Sequence, residues 1–186
     1  SGYGDMSRLI SALRMFHSRL RVSALNFAGR NITLGAGSCI SASAIIIPGK
    51  GEIVIGKNCY IGPGAILNAY EGRIELHDNV SVNYYSVLYG HGGLTIGSNT
   101  RIATHVTIIP AGHRFAKRDA LIRRQGVDNK GIRIAEDVWI GAGAVILDGA
   151  EIGRGCVIGA NSTVRGITED FGVYVGSPAK KIKERS

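Results

Sequence analysis

The sequence predicts an all-β solenoid of about six triangular turns, and three observations carry that prediction. An aliphatic residue recurs every six positions: Leu34, Ile40, Ile46; Ile55, Ile61, Leu67; Leu76, Val82, Leu88; Ile96, Ile102, Ile108; Ile134, Ile140, Ile146; Ile152, Ile158, Val164. The fourth residue of many units is glycine, asparagine or aspartate, as at Gly37, Asn58, Gly64, Asn79, Asn99, Asp137, Gly143, Gly149, Gly155 and Asn161. These residues tolerate positive φ, so each marks a corner between short flat strands. The fifth is small or β-branched, as at Ser38, Cys59, Ala65, Val80, Ala144 and Ser162, which suits a side chain pointing into a narrow interior. Three strands and three corners close one turn. Turns stacked at about 4.8 Å make a prism roughly 29 Å tall.

Composition agrees. A chain of 186 residues can form one domain with a real core. Hydrophobic residues are 45% but aromatics only 6%, with 27 glycines, which fits tightly turning strands better than a sandwich or a helical bundle. The net charge of +8 suits an anionic surface or a phosphorylated cofactor. Nucleic acid is disfavoured, because no binding motif is present and the aromatics do not interleave with the basic residues. Cys39, Cys59 and Cys156 lack metal-ligand spacing and read as packed thiols of a reducing, cytoplasmic protein. No signal peptide or membrane-spanning run is expected.

Taken in order, residues 1–30 form an N-terminal helical segment. From Ser7 to Leu25 the residues Leu9, Ile10, Leu13, Phe16 and Leu20 recur at helical spacing, with Arg8, Arg14, Arg19 and Arg21 between them. Such a face suits packing on the end of the domain or on a neighbouring subunit. A basic amphipathic helix also suits a peripheral membrane anchor, and the sequence leaves these readings open. The solenoid occupies residues 31–167, with small extra segments between the early turns and one large one after the fourth, a long, basic, structureless-looking stretch at residues 113–131. Insertions of this length in a compact repeat are usually functional. The tail, residues 168–186, contains Gly176, Ser177 and Pro178 and leaves or caps the far end.

At the level of motifs the chain resembles the left-handed parallel β-helix acyltransferases built on hexapeptide repeats. Within them it is most similar to the sugar and polysaccharide O-acetyltransferases and to galactoside and maltose acetyltransferases. The residues that carry the resemblance are Asn83, Gly112-His113, the run Asp137-Val138-Trp139-Ile140-Gly141-Ala142-Gly143-Ala144, and Gly176-Ser177-Pro178-Ala179-Lys180. Gln125-Gly126 and Gly90-His91-Gly92-Gly93 lean towards enzymes that decorate exopolysaccharide or lipopolysaccharide sugars. The resemblance implies a left-handed parallel β-helix and a homotrimer with active sites between subunits. It also implies direct transfer from acetyl-CoA to a sugar hydroxyl of a glycan precursor, with no permanently bound cofactor and no metal.

A sugar hydroxyl is a poor nucleophile at neutral pH, so direct transfer needs a base positioned on its proton. Histidine ordinarily titrates near pH 6.5 and supplies a neutral imidazole there. The resemblance assigns that role to His113, at the mouth of the long loop. It assigns Asn83, which stands where many units carry glycine, to orienting the acceptor. His77, His91 and His105 are competing candidates, and Tyr84 and Tyr85 offer ring faces to a sugar. The same resemblance points to the Ala142 amide as partner for the developing oxyanion, to Trp139 as the wall beside the thioester, and to Ala160 along the pantetheine arm. Arg165 and Lys180, with Lys181, would meet the coenzyme phosphates. Arg165-Gly166 replaces the threonine-lysine of many relatives.

Two other classes remain in view. A γ-carbonic-anhydrase-like zinc lyase on the same fold needs three imidazoles on one metal, and the spacing of His105 and His113 does not match that family. A non-catalytic β-helix scaffold would leave the coincidence of Asn83, His113 and the C-terminal motif unexplained.

Overall fold

The computed structural model describes residues 2–186, with side-chain environments from residue 9 onward. The six-residue rhythm is realised as three parallel sheets, which form the faces of one prism. The first face runs from Ile32–Leu34 to Glu151–Ile152 and the third from Ile45–Ile47 to Thr163–Val164, each with six strands, one per turn. The second face runs from Cys39–Ile40 through Val157–Ile158 and then continues.

Register follows from the interior. Ile55, Leu76, Ile96, Ile134 and Ile152 stack strand over strand on the first face, each nearly or wholly buried. Ile61, Val82, Ile102, Ile140 and Ile158 do the same on the second. Sliding one strand by a single residue would turn each such ladder towards solvent, so burial fixes the alignment. Small fifth-position residues fill the space beside the ladders, and those with hydroxyls also bond. Ser38 Oγ donates to the Gly56 carbonyl at 2.6 Å and accepts from the Cys59 amide at 2.9 Å. Ser86 Oγ bridges the Ala103 carbonyl and the Val106 amide in the same way. These contacts satisfy buried backbone groups that the corners would otherwise leave without partners.

All ten corner residues named from the sequence have positive φ. So do Tyr70, Tyr85, His105 and Phe171, with φ between 55° and 58°. A bulky residue in this region is strained by about 1–3 kcal/mol, and each of these rings has a stacking partner. Tyr85 stacks on His105 with centroids 5.4 Å apart, Tyr70 stacks on His91 at 3.8 Å, and the Arg154 guanidinium lies 5.0 Å over Phe171.

The N-terminal helix spans Gly2–Phe27 and caps the open end of the prism, but not with its apolar face. Ser18 and Val22 are buried against the first turn. The Ile40 amide donates to Ser18 Oγ at 2.8 Å, Arg21 donates to the carbonyls of Ser41 and Ala44 at 3.1 and 2.6 Å, and Asn26 pairs with both backbone groups of Ile32. Polar side chains thus occupy positions that a further turn's backbone would fill, which blunts the exposed strand edge. Leu9, Phe16 and Leu20 are exposed, as is Leu13, which with Ile10 borders an open groove between the helix and the first turns. The helix thus packs on the end of the domain, one of the readings the sequence leaves open, through its polar side rather than its apolar stripe.

At the far end, Gly172–Val175 adds to the second face in parallel, and Lys180–Glu184 returns antiparallel on its outer side. The sheet therefore extends beyond residue 167, and the tail caps rather than leaves. Cys59 and Cys156 are core thiols, and burial pushes the Cys59 thiol up. Cys39 is only half-buried and lies beside the helix rather than in the core. Among the described residues, no helix is long and apolar enough to cross a membrane.

The two helix faces should respond oppositely to substitution. Ser18→Ala leaves the Ile40 amide without its acceptor and should lower the unfolding free energy by about 1–3 kcal/mol in urea. Phe16→Ser should change it by less than about 0.5 kcal/mol. Equal losses would contradict the orientation described.

Candidate active site

Two edges of the prism matter. One, between the second and third faces, carries Asn83 and is called here the Asn83 edge. The other, between the third and first faces, releases residues 113–131 and is called the loop edge.

On the Asn83 edge, Asn83 follows the strand Ser81–Val82. Its Nδ2 donates to the Ile102 carbonyl at 2.7 Å, which leaves Oδ1 available to accept. Tyr84 and Tyr85 follow it and are exposed, and His105 sits one turn on at the same edge. Ala142 lies two turns beyond Asn83, about 10 Å away at the strand spacing. Its carbonyl accepts from the Asn161 amide at 2.8 Å. Among the described residues its own amide has no backbone acceptor, but neither have those of Tyr84 and Thr104, so a free amide is a property of this corner. Ala160 is the next step down: a Cβ on Gly141 would meet its amide nitrogen at 2.6 Å. Lys180, opposite Val175, is exposed near the same edge. Lys181 is engaged with Glu169 and, at 2.9 Å, with Glu184; those hydrogen bonds hold its ammonium above the ordinary lysine range. Its charge is less available to a phosphate than that of Lys180.

Trp139 lies on the second face in register with Arg101 and Val157, its ring 56% exposed. It does not pack beneath its own chain's loop, which leaves from the opposite edge.

The loop is better ordered than its sequence suggests. Gly112 and His113 pair antiparallel with Asp128 and Val127, closing a short hairpin. Arg114 Nε donates to Asp128 Oδ1 at 2.7 Å. Gln125 braces the interior, accepting from the Lys117 amide at 2.9 Å and donating to the Lys117 and Ala120 carbonyls at 2.8 Å each. Asp148 holds the returning strand, taking the amides of Lys130 and Gly131 at 3.0 Å each. Gly92 allows the loop base to seat, since a Cβ there would lie 2.5 Å from the Asn129 carbonyl oxygen. Sequence reasoning missed Asp148 altogether. An acidic residue just after a strand whose turn receives the loop was the available signal.

His113 is exposed and lines a cavity of about 590 Å³ with Arg114, Phe115, Lys117, Arg124, Asp128 and Arg165, among others. Arg165 belongs to this edge because Val164 pairs with Ile146, which pairs with Ile108 on the turn that releases the loop. The cavity thus has four cationic side chains against one carboxylate, an environment for an anion. His91 stacks on Tyr70, and His77 is exposed on the first face. Among the described residues, no three histidine, cysteine or acidic side chains stand close enough to share a metal ion.

The candidate residues therefore fall into two sets. His113 and Arg165 share the loop edge, whereas Asn83, Ala142, Ala160 and Lys180 line the Asn83 edge. The third face lies between the edges, and its five residues from Ser86 to Gly90 span about 17 Å. A single chain does not bring the two sets together.

Residues 131–166 match the bacterial transferase hexapeptide model of six repeats. A probable acetyltransferase of Mycobacterium tuberculosis is 33% identical over 83% of this chain, and this chain spans only half of that protein's length. A putative lipopolysaccharide biosynthesis O-acetyl transferase of Escherichia coli is 35% identical over 74% of each chain. The chain belongs to the hexapeptide-repeat acyltransferases. Among solved structures, it superposes on a variant of an N-acyltransferase from Bacillus cereus in complex with dTDP-4-amino-4,6-dideoxyglucose and coenzyme A. That match has a TM-score of 0.75 and 28% identity, and covers 88% of this chain and 89% of the other.

Asp148→Ala should release the loop base without disturbing the prism. A hydrogen bond to a carboxylate contributes about 1.5–3 kcal/mol, so amide exchange at Lys130 and Gly131 should accelerate about ten- to hundredfold. Exchange at Ile140 and Ile146 should not change; uniform acceleration would make Asp148 a general stability residue instead.

Proposed function

We propose that this protein is an acetyl-CoA-dependent O-acetyltransferase acting on a sugar hydroxyl in surface-polysaccharide biosynthesis. It works in the cytoplasm as a homotrimer, with each site built from the loop edge of one chain and the Asn83 edge of the next. The observation that carries this reading is the division of the candidate residues between two edges that one chain keeps apart. Juxtaposing neighbouring prisms joins them. It would also cover Phe115, Leu121 and Ile122 of the loop, which are exposed in the single chain, and full burial stabilises by about 1.5–3 kcal/mol for each such side chain.

In the mechanism, the sugar hydroxyl attacks the thioester carbonyl carbon while the His113 imidazole accepts its proton. Asn83 of the neighbouring chain orients the acceptor through Oδ1. The tetrahedral oxyanion is met by the Ala142 amide, a donor that costs no reorganisation during the step. Collapse breaks the carbon–sulfur bond, and the departing thiolate takes the proton from His113. Trp139 walls the second-face side of the thioester, the pantetheine arm runs past Ala160, and Arg165 and Lys180 meet phosphate groups from opposite sides. The relative from Escherichia coli supports the acceptor class, and the coenzyme A complex supports the donor.

A second reading, transfer to the amine of a nucleotide-linked amino sugar, is favoured by the likeness to the Bacillus cereus N-acyltransferase over 88% of the chain. Thiol release from acetyl-CoA against a panel of glycosides, nucleotide sugars and amino sugars separates the two. In the same assay His113→Ala should lower turnover by about a hundred- to ten-thousand-fold with coenzyme A binding intact. Retained turnover would overturn the base assignment.

A further inference from the structure

The apolar face of the N-terminal helix has no partner in the chain. At about 100° per residue, Leu9, Leu13, Phe16, Leu20 and Phe27 fall within about 60° of arc. They are between 55 and 96% exposed. The buried residues Ser18 and Val22 lie on the other side, and the hydrogen bonds of Ser18, Arg21 and Asn26 fix that side on the first turn. The helix cannot roll its apolar stripe inward without breaking the cap.

Charge selects among occupants. Residues 6–51 contain six basic residues, Arg8, Arg14, Arg19, Arg21, Arg30 and Lys50, and no acidic one. Asp5 and Glu52 bound that run, so residues 1–52 carry a net +4 of the chain's +8. A second copy of the helix would bring like charges together, with Asp5 the one carboxylate on each helix to offset four arginines. Arg21 is committed to the carbonyl cap, whereas Arg14 and Arg19 are exposed, on opposite sides of the stripe. An exposed apolar stripe on a helix with four arginines against one carboxylate matches a bilayer surface that presents anionic headgroups.

We propose that the helix Gly2–Phe27 docks this protein on an anionic membrane surface. Leu9, Leu13, Phe16, Leu20 and Phe27 enter the headgroup boundary, and Arg14 and Arg19 lie at the phosphate level. The rigid cap would then turn the end of the prism towards the bilayer while the edges stay in water.

Co-sedimentation of the full chain with vesicles tests this. One set is pure phosphatidylcholine; the other has about one third phosphatidylglycerol, a fraction set to give an anionic surface potential. The protein should bind the anionic vesicles and not the neutral ones, and added salt should weaken binding. Arg14→Gln with Arg19→Gln should lower affinity about thirtyfold, roughly a factor of five for each basic residue near such a surface. Phe16→Glu with Leu20→Glu should abolish binding while acetyl transfer to a soluble acceptor and native mass stay unchanged. Three results would overturn the proposal: no vesicle binding, binding indifferent to Phe16→Glu with Leu20→Glu, or a fall in native mass in that variant without vesicles. The last would assign the stripe to a second copy of the chain.

Discussion

The six-residue period is the constraint on which the rest of this molecule depends. Each unit points one large aliphatic side chain into a narrow interior, and each turn is closed through residues with positive φ. Once Ile55, Leu76, Ile96, Ile134 and Ile152 are stacked, every residue has an assigned face or edge. A residue's function is then a matter of its address. Asn83 and His113 differ in address by one face, so one chain keeps them apart, and the proposed site is shared between chains. A periodic scaffold tolerates an insertion only at a corner, because a bulge within a face would break ladders on both adjoining turns.

Much of this was legible in the sequence because periodicity is a local signal. The aliphatic beat, the corner residues and the small fifth positions map onto the three faces without adjustment. The misses have physical reasons. Tyr70, Tyr85 and Phe171 occupy corners by stacking on His91, His105 and the Arg154 guanidinium, which composition at one position does not reveal. The orientation of the helix stayed open in the sequence because an apolar stripe is normally the packed side. Here an open strand edge needs hydrogen-bond partners more than it needs apolar cover, and Ser18, Arg21 and Asn26 supply them. The order in residues 113–131 was hidden because Gln125 and Asp148 act through backbone contacts at long or irregular sequence separation.

The candidate residues were legible through resemblance, but their grouping was not. Arg165 and Lys180 read as one phosphate site in the sequence, yet they stand on different edges, and Arg165 shares its cavity with His113. In the proposed site this arrangement gives the basic loop a defined task. It supplies cations beside His113 on one edge, while the opposite edge supplies backbone amides and Lys180. Lys181, held by Glu169 and Glu184, belongs to the cap rather than to the site.

Subunit complementation tests the shared site most directly. His113→Ala and Asn83→Ala chains, each nearly inactive alone, are mixed and reassembled with distinguishable tags. Random assembly gives about one site in four an intact His113 from one chain and an intact Asn83 from the next, so activity should return to roughly a quarter of wild type. If tags show mixed assemblies and activity stays at the level of the separate variants, the two residues do not meet across a subunit boundary.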